Sequence, residues 1–121
     1  MALAYTVDPE RRLVIITGEY ANATEWLMLA GHVLRDTRVK AGFAFLRDLR
    51  GATHLPNVAT IAAVFQIVRR FWPTLTPLKG AIVTDTDDNA AARVAQALAD
   101  THNLPIRVFG SYQEALEWLE T

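Results

Sequence analysis

The chain contains no cysteine, which excludes disulfides, thiolate nucleophiles and cysteine metal sites. It has a single serine, Ser111, far in sequence from His54, so no serine nucleophile stands beside that base. Its six glycines are dispersed and form neither a phosphate loop nor a dinucleotide fingerprint. Neither sign of charge prevails: 12 Lys and Arg against 13 Asp and Glu give a net charge of -1. Such a balance does not neutralise phosphates, and nucleic acid is excluded as a partner on that ground. Long hydrophobic runs are missing too. The apolar stretch "ATIAAVFQIV" is interrupted at Gln66 and stops at Arg69, too short to span a bilayer. "MALAYTVDPERR" lacks the basic start and apolar core of a secretory signal. The expectation is a soluble, cytoplasmic protein without membrane insertion.

What is present reads as one globular domain over residues 1–121, with 51% hydrophobic and 21% charged residues. "LAYTV" and "LVIITGEY" are short β-rich runs separated by "DPERR", where Asp-Pro starts a tight turn, so they form an antiparallel hairpin ended by Gly18. A first helix follows in "NATEWLMLAGHVLRDTRVKAG", capped by Asn22 or Thr24 and stopped by Gly42. Trp26, Leu27, Ala30, Val33 and Leu34 recur at helical spacing, leaving Glu25, His32 and Arg35 outward.

"GFAFLRDL" is a strand, apolar on both faces in its first half, as in a sheet covered on both sides. "NVATIAAVFQIVRRFW", Asn57 to Trp72, is the second helix, and Pro73 closes it. "GAIVT" is the next strand. "TDDNAAARVAQALADTHN" is an Ala-rich helix capped by Asp87 or Asp88, and "PIRVFG" is the last strand. "SYQEALEWLE" is the last helix, with Ser111 and Glu114 in capping-box spacing. The order ββαβαβαβα requires right-handed crossovers and a largely parallel sheet with a mixed edge. The fold class is therefore α/β, with a mixed sheet of about five strands and four helices.

The order of elements resembles that of a STAS domain. Two segments carry the resemblance: the strand–corner–helix unit "FAFLRDLRGATHLPNVATIAAVF", with "DLRG" at Asp48 to Gly51, and the ending "IRVFGSYQEALEWLE". The chain is similar over essentially its whole length to the bacterial STAS-like family related to sporulation anti-sigma-factor antagonists. The resemblance implies a non-enzymatic regulatory or protein–protein interaction module. Signalling members carry a serine at the start of the helix after the corner, and its phosphorylation changes partner affinity. Here Pro56, Asn57, Val58 and Ala59 fall where that motif would stand, with Thr60 the nearest hydroxyl and Thr53 ahead of the corner. The phosphorylatable serine is thus lacking. What the resemblance leaves is the fold and a partner-binding surface at the corner.

The candidate partner-binding residues are Asp48, Arg50, His54, Asn57, Val58, Thr60 and Ile61. A carboxylate and a guanidinium near a helix start can bind an anion or a peptide. They can equally pair with each other while the carboxylate caps corner amides, and this second arrangement is the commoner one for charged residues leaving a strand. His54, His32 and His102 show no metal-ligand spacing. "DTDDN", Asp85 to Asn89, opens like a calcium loop, but Ala90 and Gln96 stand where Gly and Glu are required. A receiver-type phosphoacceptor reading fails as well, since "TGEY" offers only Glu19 and "VFGS" offers no Lys. No catalytic residue, metal or cofactor is expected.

The second helix has more apolar residues than one buried stripe needs. Two explanations stand side by side: deep burial, or a further contact such as a homodimer interface or an apolar-ligand cavity between that helix and the sheet. The second would also suit a small apolar-ligand or lipid carrier, the alternative to an interaction module.

Overall fold

The computed structural model describes residues 3–18, 22–51, 58–75, 79–85 and 90–121. Strands β1 (Ala4–Asp8), β2 (Leu13–Thr17), β3 (Ala44–Asp48), β4 (Gly80–Val83) and β5 (Ile106–Phe109) form one sheet in the order β1-β2-β3-β4-β5. β1 runs antiparallel to β2, and the other pairings are parallel. Helices α1 (Ala23–Arg35), α2 (Val58–Leu75), α3 (Ala90–Thr101) and α4 (Tyr112–Glu120) complete the expected order.

The hairpin turn is made by local chemistry. Asp8 Oδ1 accepts from the Arg11 amide at 3.1 Å, and Arg12 takes a left-handed φ of 55°. Asn22, not Thr24, caps α1, its Oδ1 accepting from the Glu25 amide at 2.9 Å. Ser111 caps α4, its Oγ accepting from the Glu114 amide at 3.2 Å.

The layering follows from chain handedness. Successive right-handed crossovers that always step the same way along a sheet put their helices on one face. α1, α2 and α3 are such crossovers. Val14, Ile16, Leu29 and Val33 pack together under α1, while Ile61, Phe65, Ala95, Ala99 and Ile106 pack where α2 and α3 meet the sheet. α4 follows the last strand, is not a crossover, and covers the opposite face. There Leu46, Ala81, Val83, Ala115 and Leu119 form a third cluster. Alternation along β3 separates the faces: Ala44 and Leu46 meet α4, and Phe45 meets α1.

Two details depart from the sequence reading, and a third bears on the alternatives it left open. α2 does not end before Pro73 but runs through it to Leu75, with the proline in its last turns, where a missing amide breaks only the final part of the helix. The inward stripe of α1 is rotated. Leu29 and Val33 are buried, whereas Leu27 is 45% and Leu34 36% exposed. The run Trp26–Ala30 is apolar at five successive positions, so spacing alone does not select the face. The third concerns α2, whose apolar excess has an intramolecular use: the helix packs against α1, against α3 and over Ile82 of the sheet. The expected caps of α3, Asp87 and Asp88, lie outside the described residues.

One edge of the sheet is covered by a side chain. At β5, the Gln96 side chain of α3 donates to the Ile106 carbonyl and accepts from the Val108 amide, both at 3.0 Å. One carboxamide thus occupies two of the outward backbone groups that an added strand would use.

Candidate functional site

In a parallel sheet the carboxyl ends of the strands form the rim where ligands and partners usually engage. Asp48 ends β3 at that rim, and the corner begins with Leu49, Arg50 and Gly51. Arg50 folds back onto Asp48 in a bidentate pair: Nε to Oδ1 at 3.0 Å and Nη2 to Oδ2 at 2.9 Å. Asp48 Oδ1 also accepts from the Arg50 amide at 3.1 Å. These hydrogen bonds hold the Asp48 carboxyl below the usual carboxylate range. The guanidinium carbon lies 4.3 Å from the centre of the Tyr112 ring at the start of α4. Gly51 turns the chain at φ 76°, where a side chain would be strained, and its amide donates to Asp85 Oδ2.

The same arrangement occurs at the other end of the molecule. After α1, Arg38 makes a bidentate pair with Asp36 at 3.0 and 2.7 Å, and Tyr5 donates to Asp36 Oδ2 at 2.9 Å. Two Asp-x-Arg segments at opposite poles therefore close the same local pair beside a tyrosine. This favours a structural origin for the Asp48–Arg50 pair, as a turn motif rather than an anion receptor in itself. Its consequence for recognition is indirect: Arg50, with its side chain 48% exposed, is held in one orientation by Asp48 and Tyr112.

Arg47 was not singled out from the sequence. It lies on the α1 face of β3, donates to the carbonyls of Ile16 at 3.3 Å and Gly18 at 3.0 Å, and sits 5.4 Å from the Trp26 ring centre. Burial lowers its guanidinium to about 10. It ties the carboxyl ends of β2 and β3 to α1 and does not present a free cation.

The expected partner-binding residues separate into four groups. Asp48, Arg50 and Val58 reach the rim, and Val58 is 62% exposed at the first position of α2. Thr60 is half-buried and has an interaction of its own. Ile61 is 6% exposed and belongs to the core between α2 and α3, so its side chain faces inward and not toward a partner. One helical turn separates Val58 from Ile61, and apolarity alone did not tell the wet position from the dry one. His54 and Asn57 lie outside the described residues, as does Thr53.

A cleft of about 250 Å³ opens beside the ends of β4 and β5, lined by Thr84, Arg93, Gln96, Val108 and Gly110 among others. It lies against α3, away from the α2–sheet position expected for an apolar cavity. It is also smaller than the roughly 300–1,000 Å³ typical of small-molecule sites. Among the described residues, no three His, Cys, Asp or Glu side chains gather as metal ligands, and no helix is long and apolar enough to cross a membrane. Comparison with protein-family models, with curated proteins and with solved structures finds no match to this chain.

Proposed function

We propose that the chain is a non-enzymatic, STAS-like regulatory or protein–protein interaction module that offers the corner after β3 to a protein partner. The carrying observation is that an exposed apolar side chain and a fixed arginine both stand at the carboxyl rim of the sheet. Val58, an exposed apolar side chain, opens α2, and the corner leading toward it begins with an arginine already fixed by Asp48 and Tyr112. A side chain ordered before binding loses less entropy on contact, and arginine beside an apolar anchor is a common centre of protein interfaces. The ββαβαβαβα order and the "DLRG" corner support the STAS-like reading. With Pro56, Asn57, Val58 and Ala59 where the signalling members carry their motif, this corner lacks the serine that is phosphorylated in them. The partner is a different protein or a second copy of the chain, in the cytoplasm.

The test uses Arg50→Glu and Val58→Asp, each at an exposed position. Both are expected to remain folded by circular dichroism and to weaken partner binding or self-association at least tenfold, read by analytical ultracentrifugation and by affinity capture against wild type. Association that is equal in wild type and both variants would remove the corner from the interface.

A further inference from the structure

Along a strand, successive residues aim their backbone amide and carbonyl at opposite neighbours. Ala44 donates to the Arg12 carbonyl, Phe45 to the Lys79 carbonyl and Gly80 to the Pro105 carbonyl, which fixes this alternation across the sheet. On β5 it turns Ile106 and Val108 outward, and these are the two residues that Gln96 binds. On β2 it turns Val14 and Ile16 toward β3, leaving Leu13, Ile15 and Thr17 for β1. Their partners on β1 are Asp8, Thr6 and Ala4. Tyr5 and Val7 therefore aim their amides and carbonyls away from the sheet, at the edge opposite β5. Among the described residues nothing bonds to those groups. The outward row has the spacing of a β-ladder and ends at Pro9, which has no amide.

We propose that β1 is a strand-addition site and that its occupant is β1 of a second copy of the chain, antiparallel across a two-fold axis. Pairing centred on Thr6 lets Tyr5 exchange both backbone bonds with Val7 of the second copy, and Val7 with its Tyr5. It sets Thr6 opposite Thr6 and Ala4 opposite Asp8, side chains that fit across a ladder. Charge selects the antiparallel order. A parallel pair would stack Asp8 on Asp8, whereas here the two carboxylates stand at opposite ends. The side chains leave room: Ala4 and Thr6 are exposed, small and uncharged, and Tyr5 and Val7 are already seated against the α1 cluster. Helix α1 adds charge complementarity. Tyr5 donates to the His32 carbonyl at 3.4 Å and to Asp36 Oδ2 at 2.9 Å, so the His32 flank of α1 stands on the β1 side. Glu25 lies on that flank about two turns earlier. The two-fold runs α1 antiparallel to its copy and brings the acidic first turn of each, at Glu25, toward the basic last turn of the other, at His32 and Arg35. The symmetry also closes. Joining the two sheets through β1 leaves β5 at both ends, with Gln96 on each, so no further copy adds in the same way. This surface is separate from the corner after β3 and does not rest on it.

The experiment measures sedimentation and amide hydrogen exchange of the whole chain from micromolar to submillimolar concentration. Wild type is expected to form a dimer, and the Tyr5 and Val7 amides to gain protection as it forms. Val7→Pro removes an outward amide that the β1–β2 ladder does not use, and is expected to weaken dimerisation about tenfold. Thr6→Lys and Thr6→Glu, each at an exposed position, are expected to weaken it by a similar factor, and an equimolar mixture of the two to restore it as a heterodimer. Should Val7→Pro not fold, the Thr6 pair is read in its place. A chain that stays monomeric at every concentration overturns the choice of a second copy. Tyr5 and Val7 amides protected equally at every concentration overturn the open edge. A dimer that the Thr6 variants do not weaken, or that their mixture does not restore, overturns β1 as its interface. Arg50→Glu and Val58→Asp at the corner are expected to leave the protection of Tyr5 and Val7 as in wild type, so the two surfaces stand or fall separately.

Discussion

Asp48 and Arg50 form a pair with its carboxylate sheltered, 16% exposed, and its guanidinium half in water. Exposed ion pairs contribute little, so Asp48→Asn is expected to cost only about 1 kcal/mol in urea unfolding, including its bond to the Arg50 amide. The larger signature is in pH. Hydrogen bonds from Arg38 lower Asp36 in the fold, and hydrogen bonds from Arg50 lower Asp48. A depressed carboxyl adds stability that is present above its unfolded pKa and is lost as pH falls through the folded value. Stability is therefore expected to decline below about pH 4, and the double variant Asp36→Asn/Asp48→Asn to decline less steeply there. Equal acid slopes for wild type and variant would show that neither pair carries the effect. The residue scale was only partly legible in the sequence. The spacing of Asp48 and Arg50 foretold their pairing because that contact is local. The burial of Arg47 under Trp26 was not foretold, since its acceptors lie on β2, far away in sequence.

At the scale of elements, Gln96 holds the boundary of the sheet. It satisfies Ile106 and Val108 at the strand edge that no neighbouring strand protects. Gln96→Leu leaves an amide and a carbonyl without those partners and is expected to cost about 1–3 kcal/mol. The open edge is also expected to raise concentration-dependent association, measurable by light scattering. Unchanged stability would mean that water replaces the carboxamide without loss. Element order was legible throughout, because β-rich runs, caps and turn residues act over a few positions. Asn22, Ser111 and Gly18 mark ends where the structure places them, whereas α1 stops at Arg35, well before the expected Gly42. What local pattern did not carry was orientation. Leu27 and Leu34 are as apolar as Leu29, and only the position of α1 over β1, β2 and β3 decides which of them is dry. Gln96 itself looked like an ordinary helix residue. Its role depends on α3 lying along β5, which is a matter of tertiary placement.

For the whole molecule, composition predicted a layered α/β body, and handedness explains why three helices share one face. The spatial order of the strands repeats their order along the chain, so every strand lies beside its predecessor. One cluster is closed early: Val14, Ile16, Leu29, Val33 and Phe43, with Leu3, Tyr5 and Phe45 around them, draw on nothing beyond residue 45. The cluster beneath α4 instead runs from Leu13 to Leu119. During synthesis, then, a chain stalled once β3 has left the exit tunnel is expected to hold the residues that seat α1 on its hairpin. Protease digestion of ribosome-stalled chains is expected to show the hairpin–α1–β3 portion protected before β4 has emerged. Full sensitivity until α4 has left the exit tunnel would mean that the last helix, and not the first, fastens the sheet.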